Sequence, residues 1–176
     1  KDDIITVGLT NGVSGETVCD HEKLLRVGIR GYIDECKANI EKTIPKCKED
    51  QEKINYWTAC IIQSEGLITY AHRMADEAER QAAECSDEKR KQELLTVAAN
   101  CRVVPENPPQ NFWQALQLLW FVHVFFHIEV CTTACSFGRF DQYIWPFYKK
   151  DVIDEKNMTE EEAMEVLECF YLKCCE

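Results

Sequence analysis

Apolar residues recur at intervals of three and four over much of the chain, which is the spacing of one helical face. Residues 20–102 carry this spacing almost without interruption, and we predict a helical region there. Cap residues and Pro45 divide it into three helices, from Asp20 to about residue 43, from about Glu52 to Cys85, and from about Asp87 to Arg102. Residues 1–19 contain three glycines among polar residues and are predicted to form a loop.

The middle of the chain combines a proline-rich joint with its most apolar segment. Residues 103–111 contain three prolines, which force an extended path. Asn111 then has the character of an N-cap, and Gln114 three residues later completes a capping box. Residues 112–130 are apolar on nearly every side, so we predict a buried helix. The chain looks too small to surround that helix, so we expect further protein structure around it.

The last part of the chain predicts a strand and then short helices. Residues 131–141 form the strand and turn, and residues 142–176 form helices, the first of them bent at Pro146. Thr159 and Glu162 predict a second capping box. The predicted core stripe of the last helix is Met164, Leu167, Phe170, Tyr171 and Cys174. The fold class expected for these 176 residues is therefore mainly α.

Composition narrows the possible partners. The net charge is -11 at pH 7, which disfavours binding to nucleic acid or to anionic lipid. Five polar residues interrupt the apolar segment, and no signal peptide opens the chain, so we expect a cytoplasmic protein without a membrane span. The 11 cysteines are odd in number and fall within helical patterns, which favours reduced thiols in a reducing or anaerobic compartment.

Two pairs of residues have spacings that occur in metal sites. His123 and His127 share a helical face, but they lack the glutamate of a zincin and an evident third ligand. Cys131 and Cys135 resemble the start of an iron–sulfur motif whose third cysteine is missing. The sequence favours core histidines and small buried thiols at these positions, with a helical metal protein as the alternative.

The segment "GRFDQY" places charged residues between the apolar segment and a run of aromatic residues. We predict that Arg139 and Asp141 form a structural hydrogen bond that fixes the turn between strand and helix. Phe140 points the opposite way from both if the backbone is extended, so it is a candidate to line a cavity.

Three segments identify a family resemblance. The sequences "RVVPENPPQNFWQALQLLWFVH", "FGRFDQYIWPFYKKD" and "MTEEEAMEVLECFYLK", in this order, strongly resemble the pyruvate formate-lyase-like family of glycyl radical enzymes. The upstream stretch "CDHEKLLRVGIRGYI" is also similar to a segment of these proteins. The resemblance covers nearly the whole chain.

The resemblance implies a large anaerobic enzyme with a ten-stranded α/β barrel wrapped by helices. In this family a radical stored on a backbone glycine passes to a cysteine, whose thiyl radical abstracts hydrogen from a small organic substrate. Members act as lyases, dehydratases or formate acetyltransferases. The implied partners are that substrate, the remainder of a full-length chain, a radical S-adenosylmethionine activase and a second subunit of a homodimer. No separate cofactor is expected to bind these residues directly.

The loops that carry this chemistry are absent from the sequence. The family's Gly-Cys loop and its Arg-Val-x-Gly-Tyr loop match none of the seven glycines and 11 cysteines. Residues 1–176 are therefore expected to be an internal fragment with wrapping helices and about one barrel strand, inactive alone. The alternative is a non-catalytic helical binding or regulatory module derived from the family.

Four positions match substrate-facing residues of the family. Thr133 and Ala134 occupy the place of a His-Ser pair, and Glu16 the place of a histidine. Phe140 matches a ring that commonly lines the cavity. Thr133, Ala134 and Glu16 differ from the residues that the family has at these places, which argues against glycerol or propanediol as the substrate. Thr133 can still donate one hydrogen bond, and Glu16 can accept one or carry a proton.

Overall fold

Helices form most of the chain in the computed structural model, which describes residues 17–130 and 135–175. Two strands of two residues each are the exception in these ranges. The elements in chain order are β1 (Thr17–Val18), α1 (His21–Lys42), α2 (Lys48–Glu84), α3 (Glu88–Val103), α4 (Phe112–Val130), β2 (Cys135–Ser136), α5 (Phe140–Tyr148), a π-helix (Lys149–Asp154) and α6 (Glu160–Cys174). The prediction of a mainly α fold is confirmed.

The helices α1, α2 and α3 form a layer in which α2 packs along both of its neighbours. The inner face of α2 is lined with small residues, and Ala71 and Ala75 are fully buried, which lets α3 approach closely. Asp20 and Asp87 cap α1 and α3 by accepting hydrogen bonds from backbone amides of the first turn, as their positions predicted. The three predicted helices are therefore present, with α2 beginning four residues before the predicted start.

A kink in α1 is a feature that the hydrophobic pattern did not predict. Gly28 has a φ of 65° and a ψ of 177°, a conformation that is nearly restricted to glycine. The kink lets the amides of Ile29 and Arg30 donate to the carbonyls of Pro105 and Glu106, each over 2.9 Å. The Arg30 guanidinium also binds the Glu106 carboxylate through two nitrogens. The proline-rich joint is thus attached to α1 along its backbone.

The helix α4 lies at the centre of the fold for most of its length. Leu118, Leu119 and Phe121 are fully buried by the other helices. Burial ends in the last turns, where Ile128 is 58 % exposed. The expectation that this chain is too small to surround the helix is therefore wrong for the first part of α4, because α2, α3, α5 and α6 all pack against it. Only the final turns of α4 are exposed, as that expectation requires.

The start of α4 is held by residues that are close in sequence and by one that is distant. Asn111 Oδ1 accepts from the Gln114 amide over 2.8 Å, as predicted for an N-cap. The Gln114 side chain accepts from the Gln110 amide, so the predicted reciprocal bond to Asn111 is replaced by one to its neighbour. The Phe112 amide donates to Asp151 Oδ2 over 2.6 Å. Asp151 is buried and belongs to the π-helix.

The last helix shows a confirmed cap and a core face that was predicted in part. Thr159 and Glu162 form the predicted capping box. Phe170 is buried, and Leu167 and Cys174 are partly buried, as predicted. Met164 and Tyr171, also predicted as core, are 56 % and 50 % exposed, whereas Ala163 is buried. Successive helical residues are about 100° apart, so these two, each one position after a buried residue, turn toward solvent. The small Ala163 side chain lets α6 lie close to α4, which determines the face that is buried.

The two strands pair in parallel, with Thr17 opposite Cys135 and Val18 opposite Ser136. This pair is the whole of the sheet that residues 17–130 and 135–175 contain, and these residues form no barrel. None of the helices in these ranges combines the length and the apolarity that a membrane span requires.

Candidate functional site

The parallel strand pair joins the two parts of the chain that carry the candidate substrate residues. Glu16 immediately precedes β1, and Thr133 and Ala134 immediately precede β2. These three residues lie outside the described ranges, but the strands that follow them are hydrogen-bonded side by side. Segments separated by more than one hundred residues in the sequence are thus adjacent where they enter the described structure.

The turn after β2 is fixed by its own backbone and by a tyrosine. Gly138 has a φ of 60°, which favours glycine, and its amide donates to Ser136 Oγ over 3.1 Å. Tyr143 Oη donates to the Phe137 carbonyl over 2.6 Å. These hydrogen bonds fix the segment between β2 and α5, and they come from other side chains than the predicted pair.

The predicted hydrogen bond between Arg139 and Asp141 is wrong. Arg139 is exposed and donates to Gln142 Oε1 over 3.5 Å, and Asp141 is exposed at the start of α5. The helix already begins at Phe140, so residues two apart no longer share a face as they do in an extended strand.

Phe140 belongs to a cluster of aromatic rings between α5 and α6. Its ring stacks on Phe170, with centroids 5.6 Å apart and an interplanar angle of 16°. It also contacts Phe137 and Tyr143 edge to face. Phe140 is half-buried, so part of the ring remains accessible. Its geometry is compatible with packing and with contact to a ligand.

Two buried histidines lie against Phe137. His21 begins α1 and is 2 % exposed, and His123 lies in α4 and is 9 % exposed. Burial lowers the pKa of both, so the neutral imidazoles are favoured. Among residues 17–130 and 135–175, neither His21 Nε2 nor His123 Nδ1, both buried, has a hydrogen-bond partner. The sequence did not indicate that His21 is buried, because a residue directly after the N-cap Asp20 has no characteristic pattern of burial.

The predicted metal candidates are not assembled into a ligand set in the described part of the chain. His127 packs edge to face on His123, with ring centroids 4.5 Å apart. Cys135 lies in β2, and Cys131 is outside the described residues. No group of three or more His, Cys, Asp or Glu side chains suited to a metal occurs within residues 17–130 and 135–175.

Two half-buried thiols lie at the strand pair. Cys19 follows β1, and Cys135 is in β2. Burial is the main cause that raises the pKa of Cys19, to about 12, and it also raises the pKa of Cys135.

Two grooves border this region. One, of about 380 Å³, runs between α1, α2 and α4, and its lining includes Cys19, Val122 and Phe126. The other, of about 560 Å³, lies between α3, α4 and α6 and includes Trp113 and Trp120. The Trp120 Nε1 donor is buried and has no hydrogen-bond partner within the described ranges.

The glycines that the structure describes do not fit a radical site. Gly28 and Gly31 lie in α1, Gly66 in α2 and Gly138 in the turn after β2. None of them stands in an Arg-Val-x-Gly-Tyr loop. A Cβ added at Gly28 would come within 2.6 Å of the Glu106 carbonyl oxygen, so this glycine serves close backbone packing.

Comparison with known proteins gives consistent matches. The family model described as pyruvate formate lyase-like matches residues 1–176. An isethionate sulfite-lyase of Oleidesulfovibrio alaskensis is 43 % identical over 157 residues, covering 88 % of this chain and 19 % of the relative. An indoleacetate decarboxylase of Tractidigestivibacter scatoligenes is 37 % identical over 94 % of this chain and 19 % of the relative. The chain spans about a fifth of the length of these relatives.

Solved structures agree with the sequence matches. A glycerol-bound, B12-independent glycerol dehydratase of Clostridium butyricum is similar with a TM-score of 0.86 and 36 % identity, over 92 % of this chain and 20 % of that one. A glycyl radical enzyme of Archaeoglobus fulgidus is similar with a TM-score of 0.80. The family resemblance read from the sequence is confirmed, and the chain belongs to the pyruvate formate lyase-like family of glycyl radical enzymes.

Proposed function

We propose that these residues are the part of a glycyl radical lyase or dehydratase that supplies one wall of the substrate cavity. The parallel pairing of β1 with β2 carries the proposal, because it aligns the two segments that the family resemblance associates with substrate. Glu16, Thr133 and Phe140 are the proposed contacts, with Ala134 beside them as a small residue that leaves room. The substrate is a small organic molecule.

The proposed division of labour follows from the residues present. Glu16 accepts a hydrogen bond or holds a proton, Thr133 donates a hydrogen bond, and Phe140 excludes water from one side of the cavity. Radical storage and hydrogen abstraction require the glycine and cysteine loops, which match no residues here. The 176-residue chain alone is therefore proposed to be inactive.

The alanine at position 134 bears on the substrate class. A His-Ser pair offers two polar groups to substrate hydroxyls, whereas Thr133 and Ala134 offer one. A site with fewer donors favours a substrate with fewer hydroxyl groups than glycerol. Relatives named for their action on isethionate and on indoleacetate show that the family extends beyond diols.

The first experiment is to sequence the coding region beyond the codon for Glu176. We expect an open frame that encodes both the Gly-Cys and the Arg-Val-x-Gly-Tyr loops. The full-length protein is then expressed anaerobically with its radical S-adenosylmethionine activase and examined by electron paramagnetic resonance. A glycyl radical doublet supports the proposal, and a frame that stops at Glu176 contradicts it in favour of a non-catalytic module.

The substrate contacts are tested in that activated enzyme. Thr133→Ala and Glu16→Gln are expected to lower kcat/KM for the identified substrate at least about tenfold, because each loses one directed contact. Phe140→Leu keeps an apolar side chain, removes the ring and tests its contribution. Gln142→Ala, on the exposed face of α5, is the matched control and should retain activity. Equal activity in all four variants would place the substrate elsewhere.

A further inference from the structure

Tyr143 joins the turn after β2 to the beginning of α5. Phe137 lies between the last residue of β2 and the first residue of α5, so its carbonyl belongs to neither element. The Tyr143 hydroxyl donates to that carbonyl over 2.6 Å, across six residues of the chain. Burial raises the pKa of Tyr143, so the hydroxyl keeps its proton at neutral pH and stays a donor. The bond therefore fixes the distance between the end of β2 and the helix that begins at Phe140.

The ring of Tyr143 contacts two further residues near the candidate substrate segments. It packs on His21, with ring centroids 5.5 Å apart, and His21 follows the last residue of β1 by three positions. It also contacts Phe140 nearly edge to face, with centroids 5.9 Å apart. Tyr143 thus links the segment that leaves β1, the turn that leaves β2 and the ring assigned to the cavity wall.

The remaining contacts of Phe140 hold its ring less strictly. The N-cap of α5 is Arg139, whose side chain makes no capping hydrogen bond to the described residues. Phe140 stacks on Phe170 with centroids 5.6 Å apart. Stacked rings tolerate sliding over a range of offsets, whereas a short hydrogen bond restricts both distance and angle. The bond from Tyr143 is therefore the directional contact that fixes the beginning of α5.

We propose that Tyr143 is a positioning residue for the proposed cavity, because its bond to the Phe137 carbonyl holds the Phe140 ring where that ring meets the substrate. The inference rests on the proposed function, in which Phe140 supplies part of the cavity wall. Tyr143 acts through Phe140 and not on the reacting atoms. An apolar wall contacts the substrate equally in the ground state and in the transition state, so a displaced wall raises KM and leaves kcat nearly unchanged.

The first test follows the Phe140 ring in the 176-residue chain and needs no turnover. Nuclear magnetic resonance with labelled phenylalanine rings, assigned with Phe140→Leu, compares the wild type with Tyr143→Phe, which removes the hydroxyl and keeps the ring. We expect the Phe140 ring resonances to move and the Overhauser contact between Phe140 and Phe170 to weaken. Tyr148→Phe, at the last residue of α5, is the matched control and should leave both unchanged. Circular dichroism shows that each variant remains folded.

The second test uses the activated full-length enzyme, in the assay that measures Phe140→Leu. Tyr143→Phe should raise KM at least about threefold and keep kcat within about twofold of the wild type, because one buried hydrogen bond is lost away from the reacting atoms. In the variant that combines Tyr143→Phe with Phe140→Leu, KM should not exceed that of Phe140→Leu alone, since both changes affect one wall. Tyr148→Phe should retain the wild-type KM.

The outcomes separate this inference from the proposed function. Moved Phe140 resonances together with a raised KM in Tyr143→Phe support it. Unchanged Phe140 resonances in that variant overturn it whatever the activity. A raised KM for Phe140→Leu beside an unchanged KM for Tyr143→Phe also overturns it and leaves the proposed function in place. An unchanged KM for Phe140→Leu contradicts the proposed substrate contact and overturns the inference with it.

Discussion

The helices α1, α2 and α3 bury aliphatic side chains, alanines and the thiols of Cys36 and Cys101, whereas the region around β1 and β2 packs imidazoles against aromatic rings. In the first region Asp20 and Asp87 cap α1 and α3, and the outer surface carries local ion pairs, such as those from Arg80 to Glu77 and Glu84. In the second, His21 and His123 each have a buried ring nitrogen with no hydrogen-bond partner in the part of the chain that the structure describes. The difference separates a packed scaffold from a region with desolvated polar groups, and such groups concentrate at functional sites.

The scaffold depends most strongly on one glycine. Gly28→Ala is expected to destabilise the chain by about 3 kcal/mol or more, because a side chain there is strained and meets the Glu106 carbonyl oxygen. Urea unfolding followed by circular dichroism measures the loss. Gly66→Ala in α2 is the matched control, since a Cβ there meets nothing within 4 Å. It should gain about 0.5–1 kcal/mol, and similar losses in both variants would refute the role of the kink.

The second expected effect lies between the two regions, at the start of α4. Asp151→Ala should cost about 2 kcal/mol, because the buried Phe112 amide loses its acceptor. The same unfolding measurement compares it with Asp154→Ala. Asp154 pairs with Lys149 at the surface, and its loss should cost less than about 0.5 kcal/mol. If both variants unfold at the same urea concentration, the bond to Phe112 does not hold α4.

The third prediction concerns pH and the strand region. The pKa values of His21 and His123 are lowered in the folded chain, so below about pH 6.5, the ordinary pKa of histidine, the unfolded chain binds more protons than the folded one. Stability should therefore be intact above pH 6.5 and fall as the pH drops from there, by about 1 kcal/mol or more at pH 5.5.

The measurement is the urea midpoint at pH 7.5 and pH 5.5 for the wild type and for the variant that combines His21→Gln with His123→Gln. The variant should show a smaller decrease between the two pH values, whatever its stability at pH 7.5. The groups near His21 include Asp20, which raises its pKa, and His123, which lowers it. His127 lowers the pKa of His123. An unchanged decrease in the variant would assign the pH response to other groups.

The smallest expected effect is at the cap of α6. Thr159→Ala should cost about 1 kcal/mol, because the Glu162 amide loses its acceptor over 3.1 Å. Thr96→Ala in the middle of α3 is the control, since that hydroxyl only donates to the Gln92 carbonyl of its own helix. It should be neutral or slightly stabilising in thermal unfolding. A loss at Thr96 as large as that at Thr159 would contradict the assigned cap.

The sequence by itself determined the elements that rest on local chemistry. The helical spacing, the caps at Asp20, Asp87 and Thr159, and the family motifs could all be read without coordinates, because each involves residues a few positions apart. The mainly α fold and the family followed from these features.

Tertiary structure decided the features that depend on residues distant in sequence. The Gly28 kink brings backbone amides of α1 to carbonyls of the proline-rich joint, and the buried Asp151 accepts a hydrogen bond from the first amide of α4. Neither partner can be predicted from the spacing of nearby residues. The face of α6 that is buried was decided by close packing at Ala163. The parallel pairing of β1 with β2, and the packing of His21 on Phe137, are contacts between segments that the sequence keeps far apart.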